Sequence, residues 1–228
     1  MKHFINQDLL APNALIVPVD AALIRDSLLQ FTEQIDPQRF ASVSPPWDSD
    51  IRWISARTLE AFATFQDLFD RLGIAAVVRP YLDLEHAVRL YSGFLVERSV
   101  CKKPNFHLDW RNTNNEAFTL LTPITDNSAG FGLIYKKLDG TLGEYEYRIG
   151  EALIMGDHFM HSTRPGRSES PVLLLSFTFG SDRMEHWDRI AETAASQGPL
   201  VQLPDGSFLF QGEEMSAEGA ISAAGSRT

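Results

Sequence analysis

A single cysteine, no long apolar run and no surplus of basic residues set the first limits on this chain of 228 residues. Cys101 cannot form an intrachain disulfide, which suits a reducing compartment. One thiol also excludes cysteine-based zinc sites, although a site of two histidines and an aspartate is not excluded. Cys101 itself reads as a small buried hydrophobe. No stretch approaches the roughly eighteen apolar residues that a membrane span requires. The opening Met1-Lys2-His3-Phe4-Ile5-Asn6-Gln7-Asp8 lacks the basic-then-apolar pattern of a secretory leader. The expectation is a cytoplasmic protein. A formal charge of −10 argues against a phosphate-backbone partner, since such partners select a basic surface. Several motifs are missing as well. Ser92-Gly93 does not complete a Gly-x-Ser-x-Gly elbow. Gly130-Phe131-Gly132 lacks the third glycine and the following helix of a dinucleotide fingerprint, and no phosphate loop occurs.

What is present is enough apolar material for a core, 44% hydrophobic against 22% charged. Ala14 to Val19 reads as a short strand, and Asp20 can cap a helix carrying Leu23, Ile24, Leu28, Phe31 and Ile35. Residues 36–50 hold three prolines and read as a loop able to cover a site. Thr58 caps a second helix, with Phe62, Phe65, Leu68 and Phe69 as a core-facing stripe and Gly73 as its stop. From about Val88 the pattern turns to strands: Val88–Val96, Phe118–Ile124, Gly132–Lys136, Glu144–Ile149, Ala152–Met155 and Pro171–Phe179. Asp182 is a candidate cap for a last helix bearing Met184, Trp187, Ile190, Ala191 and Ala194, and Pro204-Asp205-Gly206 marks a hairpin. Many short strands with helices gathered at the front give an α+β, mainly β class: a sandwich or barrel with a helical layer. One domain covers 1–212, with 1–87 as N-terminal strand and covering helices, 88–180 as the β core and 181–212 as the C-terminal helix and hairpin. Residues 213–228 read as a disordered tail.

The chemistry gathers at His107-Leu108-Asp109 and at His161, about fifty residues later. Residues i and i+2 of a strand share a side, so His107 and Asp109 can reach one metal while His161 arrives from a distant strand. Two imidazoles and one carboxylate on one face of a metal leave the remaining positions open, as in non-haem Fe(II) oxygenases. His158 competes with His161 for the distal place, and His161 is preferred for its distance after Gly150 and its lead into Ser162-Thr163-Arg164-Pro165.

On Phe106-His107-Leu108-Asp109-Trp110 and the glycine-opened Gly150–His161 segment, the chain resembles the 2-oxoglutarate/Fe(II)-dependent oxygenase superfamily over roughly Tyr91 to Phe179. The resemblance implies a double-stranded β-helix, or jelly roll, and Fe(II) held by His107, Asp109 and His161. It also implies 2-oxoglutarate as cosubstrate with O2, and hydroxylation of a small or amino-acid-like molecule. The distal Gly-Glu-Ala-Leu-Ile-Met-Gly-Asp-x-Phe-x-His is similar to aspartyl-hydroxylase-like members, which generally lack the acid that Asp109 supplies. In many members a basic residue about ten positions after the distal histidine, often followed by x-Ser, pairs with the far carboxylate of 2-oxoglutarate; here that position is Pro171. Arg167 and Arg164 are the nearest candidates, Arg148 and Lys136 are alternatives, and Thr119 could hydrogen-bond the cosubstrate. Trp110, Arg111 and Asn112 are candidates for the substrate entrance. The departure at Pro171 keeps a second reading open, a cupin-like metal- or ligand-binding module without oxygenase activity. Nucleic acid and membrane partners are not expected, and oligomeric state is left open.

Overall fold

A jelly roll holds this chain together, and one strand shows how its two faces are divided. In the computed structural model, which describes residues 3–33, 35–45, 48–126 and 131–215, the front of the chain forms β1 (Ile5–Asn6), β2 (Ala11–Pro12), β3 (Ala14–Pro18) and helix α1 (Ala21–Glu33). Then come β4 (Phe40–Val43), β5 (Ile51–Ala56), α2 (Leu59–Arg71) and the short α3 (Ile74–Val78). The core follows as β6 (Arg89–Cys101), β7 (Ala117–Pro123), β8 (Gly132–Lys136), β9 (Leu142–Glu146), β10 (Glu151–Met155), β11 (His161–Thr163) and β12 (Gly166–Gly180). The chain closes with α4 (Trp187–Ser196), β13 (Leu200–Gln202), β14 (Phe208–Phe210) and β15 (Glu213–Glu214). A seven-stranded antiparallel sheet runs β3-β10-β7-β12-β6-β5-β4, and a three-stranded sheet runs β11-β8-β9. No helix among the described residues is long and apolar enough to cross a membrane.

Strand β12 pairs with both β6 and β7. Its Leu173, Leu175, Phe177 and Phe179 join the core beneath the helices, and its Val172 and Leu174 join the core between the two sheets. The pleat enforces this split, because successive side chains leave a strand on opposite faces. Phe69 of α2 meets Phe177 and Phe179 with ring centroids 5.5 and 5.2 Å apart. Each such aromatic contributes about 1.5–3 kcal/mol through burial. The helix can sit this close because β6 carries Gly93, where a Cβ would lie 2.5 Å from Phe65. Thr58 caps α2 by accepting from the Ala61 amide, and Asp20 accepts from the Leu23 amide at the head of α1.

Several boundaries differ from the sequence expectation. The 36–50 loop contains β4, which pairs with β5 because Phe40 is buried beneath the helices. Strands β6 and β12 run further, to Cys101 and back to Gly166, since each supplies the other's backbone partners. Asp182 does not cap α4; its carboxylate accepts the Glu85, His86 and Ala87 amides and ties down the entry to β6. Met184 lies exposed before α4, which buries Ile190 and Ala194. Glu213 and Glu214 of the expected tail pair with β14, and residues 216–228 lie outside the described residues.

Candidate metal centre

His107 and His161 face each other across an antiparallel bridge, each backbone N–H donating to the other's carbonyl at 2.9 and 3.0 Å. Such a pair directs both side chains to one side. Their rings lie 4.5 Å apart. Each Nδ1 is set against a backbone carbonyl, His107 against Asn105 at 2.8 Å and His161 against Phe159 at 3.0 Å. A carbonyl can only accept, so the proton of each neutral ring sits on Nδ1 and the lone pair on Nε2. Those Nε2 atoms lie 3.4 Å (His107) and 3.8 Å (His161) from Asp109 Oδ1. One ligand atom from each of the three residues falls within 4.8 Å of the others. An octahedral face with bonds of about 2.1 Å has edges near 3 Å, so a small inward shift completes the set.

Asp109 is held from behind as well. Thr193 on α4 donates to its backbone carbonyl at 2.7 Å. Trp110 Nε1 donates to Thr119 Oγ1 at 3.0 Å, and the Thr119 hydroxyl bonds the Asp109 carboxylate. Burial acts to raise the Asp109 carboxyl, but the charge of His161, the bond and charge of His107, and Thr119 outweigh it and hold it down at about 2. Burial lowers His161 and keeps it neutral. Burial also lowers His107, yet its hydrogen bond to Asp109 and that residue's charge leave it raised on balance. The result is one carboxylate and two oriented imidazoles, which suits a divalent cation.

The loop after the motif is fixed by Asp157. Its carboxylate accepts from the Thr113 hydroxyl at 2.7 Å and amide at 3.3 Å, and from the Asn115 amide at 3.1 Å. Asn112, Asn114 and Asn115 turn through positive φ there, which asparagine tolerates. His158, next to Asp157, is exposed at φ 69°, and its ring lies 5.7 Å from that of His3, apart from the triad.

The triad opens onto a cavity of about 110 Å³ between the two sheets. Thr119 lines it; Arg164 and Arg167 do not. Arg164 turns out to Glu144 at 3.1 Å, and Arg167 is exposed at the start of β12. Arg148 pairs with Glu151 outside the cavity, and Lys136 lies over Phe106. Trp110 is wholly buried on the far side and so cannot form an entrance. Sequence reasoning missed Arg98, Tyr147 and Ser176, which do line the cavity. Their signal was periodic: Phe94, Val96 and Arg98 alternate along β6, and Leu174 and Ser176 along β12. Burial pushes the Tyr147 phenol up and keeps it neutral, and burial likewise raises the Cys101 thiol beside it.

No known family profile matches the sequence, and no curated protein matches it. Solved structures do. A Pseudomonas putida prolyl-4-hydroxylase is 16% identical with a TM-score of 0.54, over 74% of this chain and 92% of that one. HygX from Streptomyces hygroscopicus, solved with nickel and 2-oxoglutarate bound, is 18% identical with a TM-score of 0.53, over 78% and 88%. The non-haem α-ketoglutarate-dependent epimerase SnoN is 14% identical with a TM-score of 0.54, over 75% and 77%. At these identities the likeness is one of architecture: this chain shares the double-stranded β-helix of these solved structures.

Proposed function

We propose that this protein is a non-haem Fe(II)- and 2-oxoglutarate-dependent dioxygenase acting on a small or amino-acid-like molecule. The observation that carries this reading is the convergence of His107 Nε2, His161 Nε2 and Asp109 Oδ1 at the end of a mostly apolar, partly enclosed cavity. Two imidazoles and one carboxylate on a single face match the facial set of such enzymes and leave the opposite face to small ligands. When bound, Fe(II) would supply the redox chemistry that couples decarboxylation of 2-oxoglutarate to oxidation of a substrate C–H bond.

The chain's own work is positioning. The backbone bridge between His107 and His161 sets the ring separation, and the Asn105 and Phe159 carbonyls set both tautomers. Thr119 and Thr193 hold the carboxylate and backbone of Asp109, so little reorganisation is needed on loading. Phe94, Val96 and Leu174 keep bulk water from the space beside the ligand face.

The second reading, a cupin-like binding module, draws on β12, where Val172 and Leu174 present apolar groups to the interior instead of a basic one. Anaerobic Fe(II) titration separates the two. The oxygenase reading expects a visible metal-to-ligand charge-transfer band only when Fe(II) and 2-oxoglutarate are both present. An iron-loaded protein that gives no band with 2-oxoglutarate would favour the binding module.

A further inference from the structure

Helix α4 sets an unpaired carboxamide beside the metal centre. Thr193 and Gln197 stand four residues apart, about one helical turn, and so share a face. Thr193 donates to the Asp109 carbonyl at 2.7 Å, and Gln197, at the helix C-cap, lines the metal cavity. Gln197 is only 8% exposed, yet its Oε1 has no hydrogen-bond partner among the described residues. A buried amide oxygen left unpaired has lost its hydration without replacement, so its retention on a cavity wall points to a ligand that supplies the missing bond. The same side chain borders a second space. An open groove of about 570 Å³ runs between β4 and the end of α4, and Trp53 and Gln197 belong to the walls of both groove and cavity. Trp53 is set edge-on against Phe94 with ring centroids 6.0 Å apart, which fixes the aromatic side of this neck.

The groove differs in charge from the chain as a whole. The sequence holds 30 acidic residues against 20 basic ones, yet among the described residues the groove is lined by no acidic side chain and by one cation, Arg57. Arg57 Nη1 donates to the Pro37 carbonyl at 3.3 Å, a bond that uses one of five guanidinium donors. The Arg57 amide donates to the Arg39 carbonyl at 2.8 Å and so continues the β4–β5 ladder. Trp53 and Arg57 therefore fall on one side of an extended segment, roughly 13 Å apart. We infer that the groove is the substrate's path to the metal, that Trp53 and Gln197 flank its neck, and that the substrate is an extended hydroxy acid whose hydroxyl meets Gln197 and whose carboxylate meets Arg57. This rests on the oxygenase reading and narrows its substrate class. A hydroxyl both donates and accepts, so it pairs with either end of a carboxamide. A planar guanidinium holds a carboxylate through two parallel bonds. The apolar stem between the two ends lies along Ala41, Val43 and Pro199. An ammonium group finds no counter-charge in this groove, which sets amines aside.

The test uses the full chain loaded with Ni(II) and 2-oxoglutarate, titrated calorimetrically with 8-hydroxyoctanoate, octanoate, octanol and 8-aminooctanol. Wild-type protein should bind 8-hydroxyoctanoate at least about threefold more tightly than octanoate or octanol, and 8-aminooctanol most weakly. Gln197→Leu should weaken 8-hydroxyoctanoate about fivefold and leave octanoate within about twofold. Arg57→Gln should weaken both acids about threefold and leave octanol within about twofold. Gln197→Leu should also raise the urea midpoint, because an apolar side chain of similar size removes the orphaned oxygen. A carboxamide with only a structural role would lower that midpoint on removal, and a fall would overturn the part given to Gln197. Acid binding unchanged in Arg57→Gln, as for a carboxylate that coordinates the metal, would overturn the path. So would a Gln197→Leu loss shared equally by octanoate, or 8-hydroxyoctanoate that fails to bind the 2-oxoglutarate-loaded protein. Protein that takes Ni(II) but not 2-oxoglutarate would instead bring down the oxygenase reading, and this narrowing with it. Should Gln197→Leu fail to fold, which itself counts against an orphaned oxygen, Arg57→Gln and the four ligands decide the path.

Discussion

Among the described residues two clusters set histidine beside acids, and they differ in how their donors are oriented and sheltered. His107, Asp109 and His161 bring ligand atoms within 4.8 Å of one another, and so do Asp83, Glu185 and His186. In the first, backbone carbonyls fix both rings and the donors face a cavity. In the second, the acids are exposed, and Arg183 already stands among them at 3.4 Å from Asp83 and 3.8 Å from Glu185. His186 Nε2 lies 3.9 Å from each acid. Residue type and proximity are shared, while orientation, shelter and the absence of an internal cation are not. The difference teaches that a ligand set is made by what stands behind it.

The largest effect should fall on the first cluster. Asp109→Ala or His161→Ala should weaken Ni(II) or Fe(II) by more than about 100-fold, beyond the loss typical of the groups that merely support a ligand. Glu185→Ala should leave affinity within about twofold. Calorimetry on the wild type should give one site per chain, and a second site in Arg183→Gln would break the contrast by showing that the guanidinium alone suppresses the exposed cluster. Next to that cluster stands a carboxylate whose work is folding. Asp182→Ala removes the acceptor of three amides. At roughly 1 kcal/mol each, the loss should be about 2–3 kcal/mol in urea unfolding, with metal affinity unchanged. Burial raises the Asp182 carboxyl, but its three amide donors outweigh this and lower it. Its contribution is therefore complete above the unfolded value of about 4 and fades as pH falls through the lower folded value.

The triad and the strand-rich core could be read from sequence because both depend on short-range rules. His-x-Asp shares one side of an extended segment, and strand alternation is visible residue by residue. What escaped depended on partners far along the chain. β4 and β5 lie in or beside a proline-rich stretch and earn strand character only from pairing with each other and β6. Asp182 looked like a cap because it precedes a helix, yet its amide partners lie some ninety-five residues earlier. Arg98 was passed over because a charge in a strand reads as solvent-facing until its neighbours Phe94 and Val96 assign the face. The basic candidates suggested by sequence follow His161 or lie on β8 and just before β10, whereas sheet pairing brings β6 beside β12.

A smaller effect tests how deep the preparation of the first cluster goes. Thr119→Val keeps the shape and deletes the hydroxyl joining Trp110 to the Asp109 carboxylate. Metal affinity should fall about tenfold, the low end for a group that orients a ligand. The Trp110 indole, buried without its acceptor, should cost about 1–2 kcal/mol of stability. An unchanged affinity would mean that the backbone bridge between the histidines suffices to orient the centre.

The smallest effect concerns the histidine that competes with His161 in sequence. His158 is exposed and turns at φ 69°, a region where a side chain is strained and glycine is not. His158→Gly should therefore leave metal affinity within about twofold and raise stability by up to about 1 kcal/mol. The sign is what matters. A ligand removed would lower both loading and metal-dependent stability together, whereas a strained loop residue removed raises stability with or without metal. Thermal unfolding with and without Ni(II) reads the two directly, and a loss of the nickel-induced shift in His158→Gly would move the distal ligand from His161 to His158.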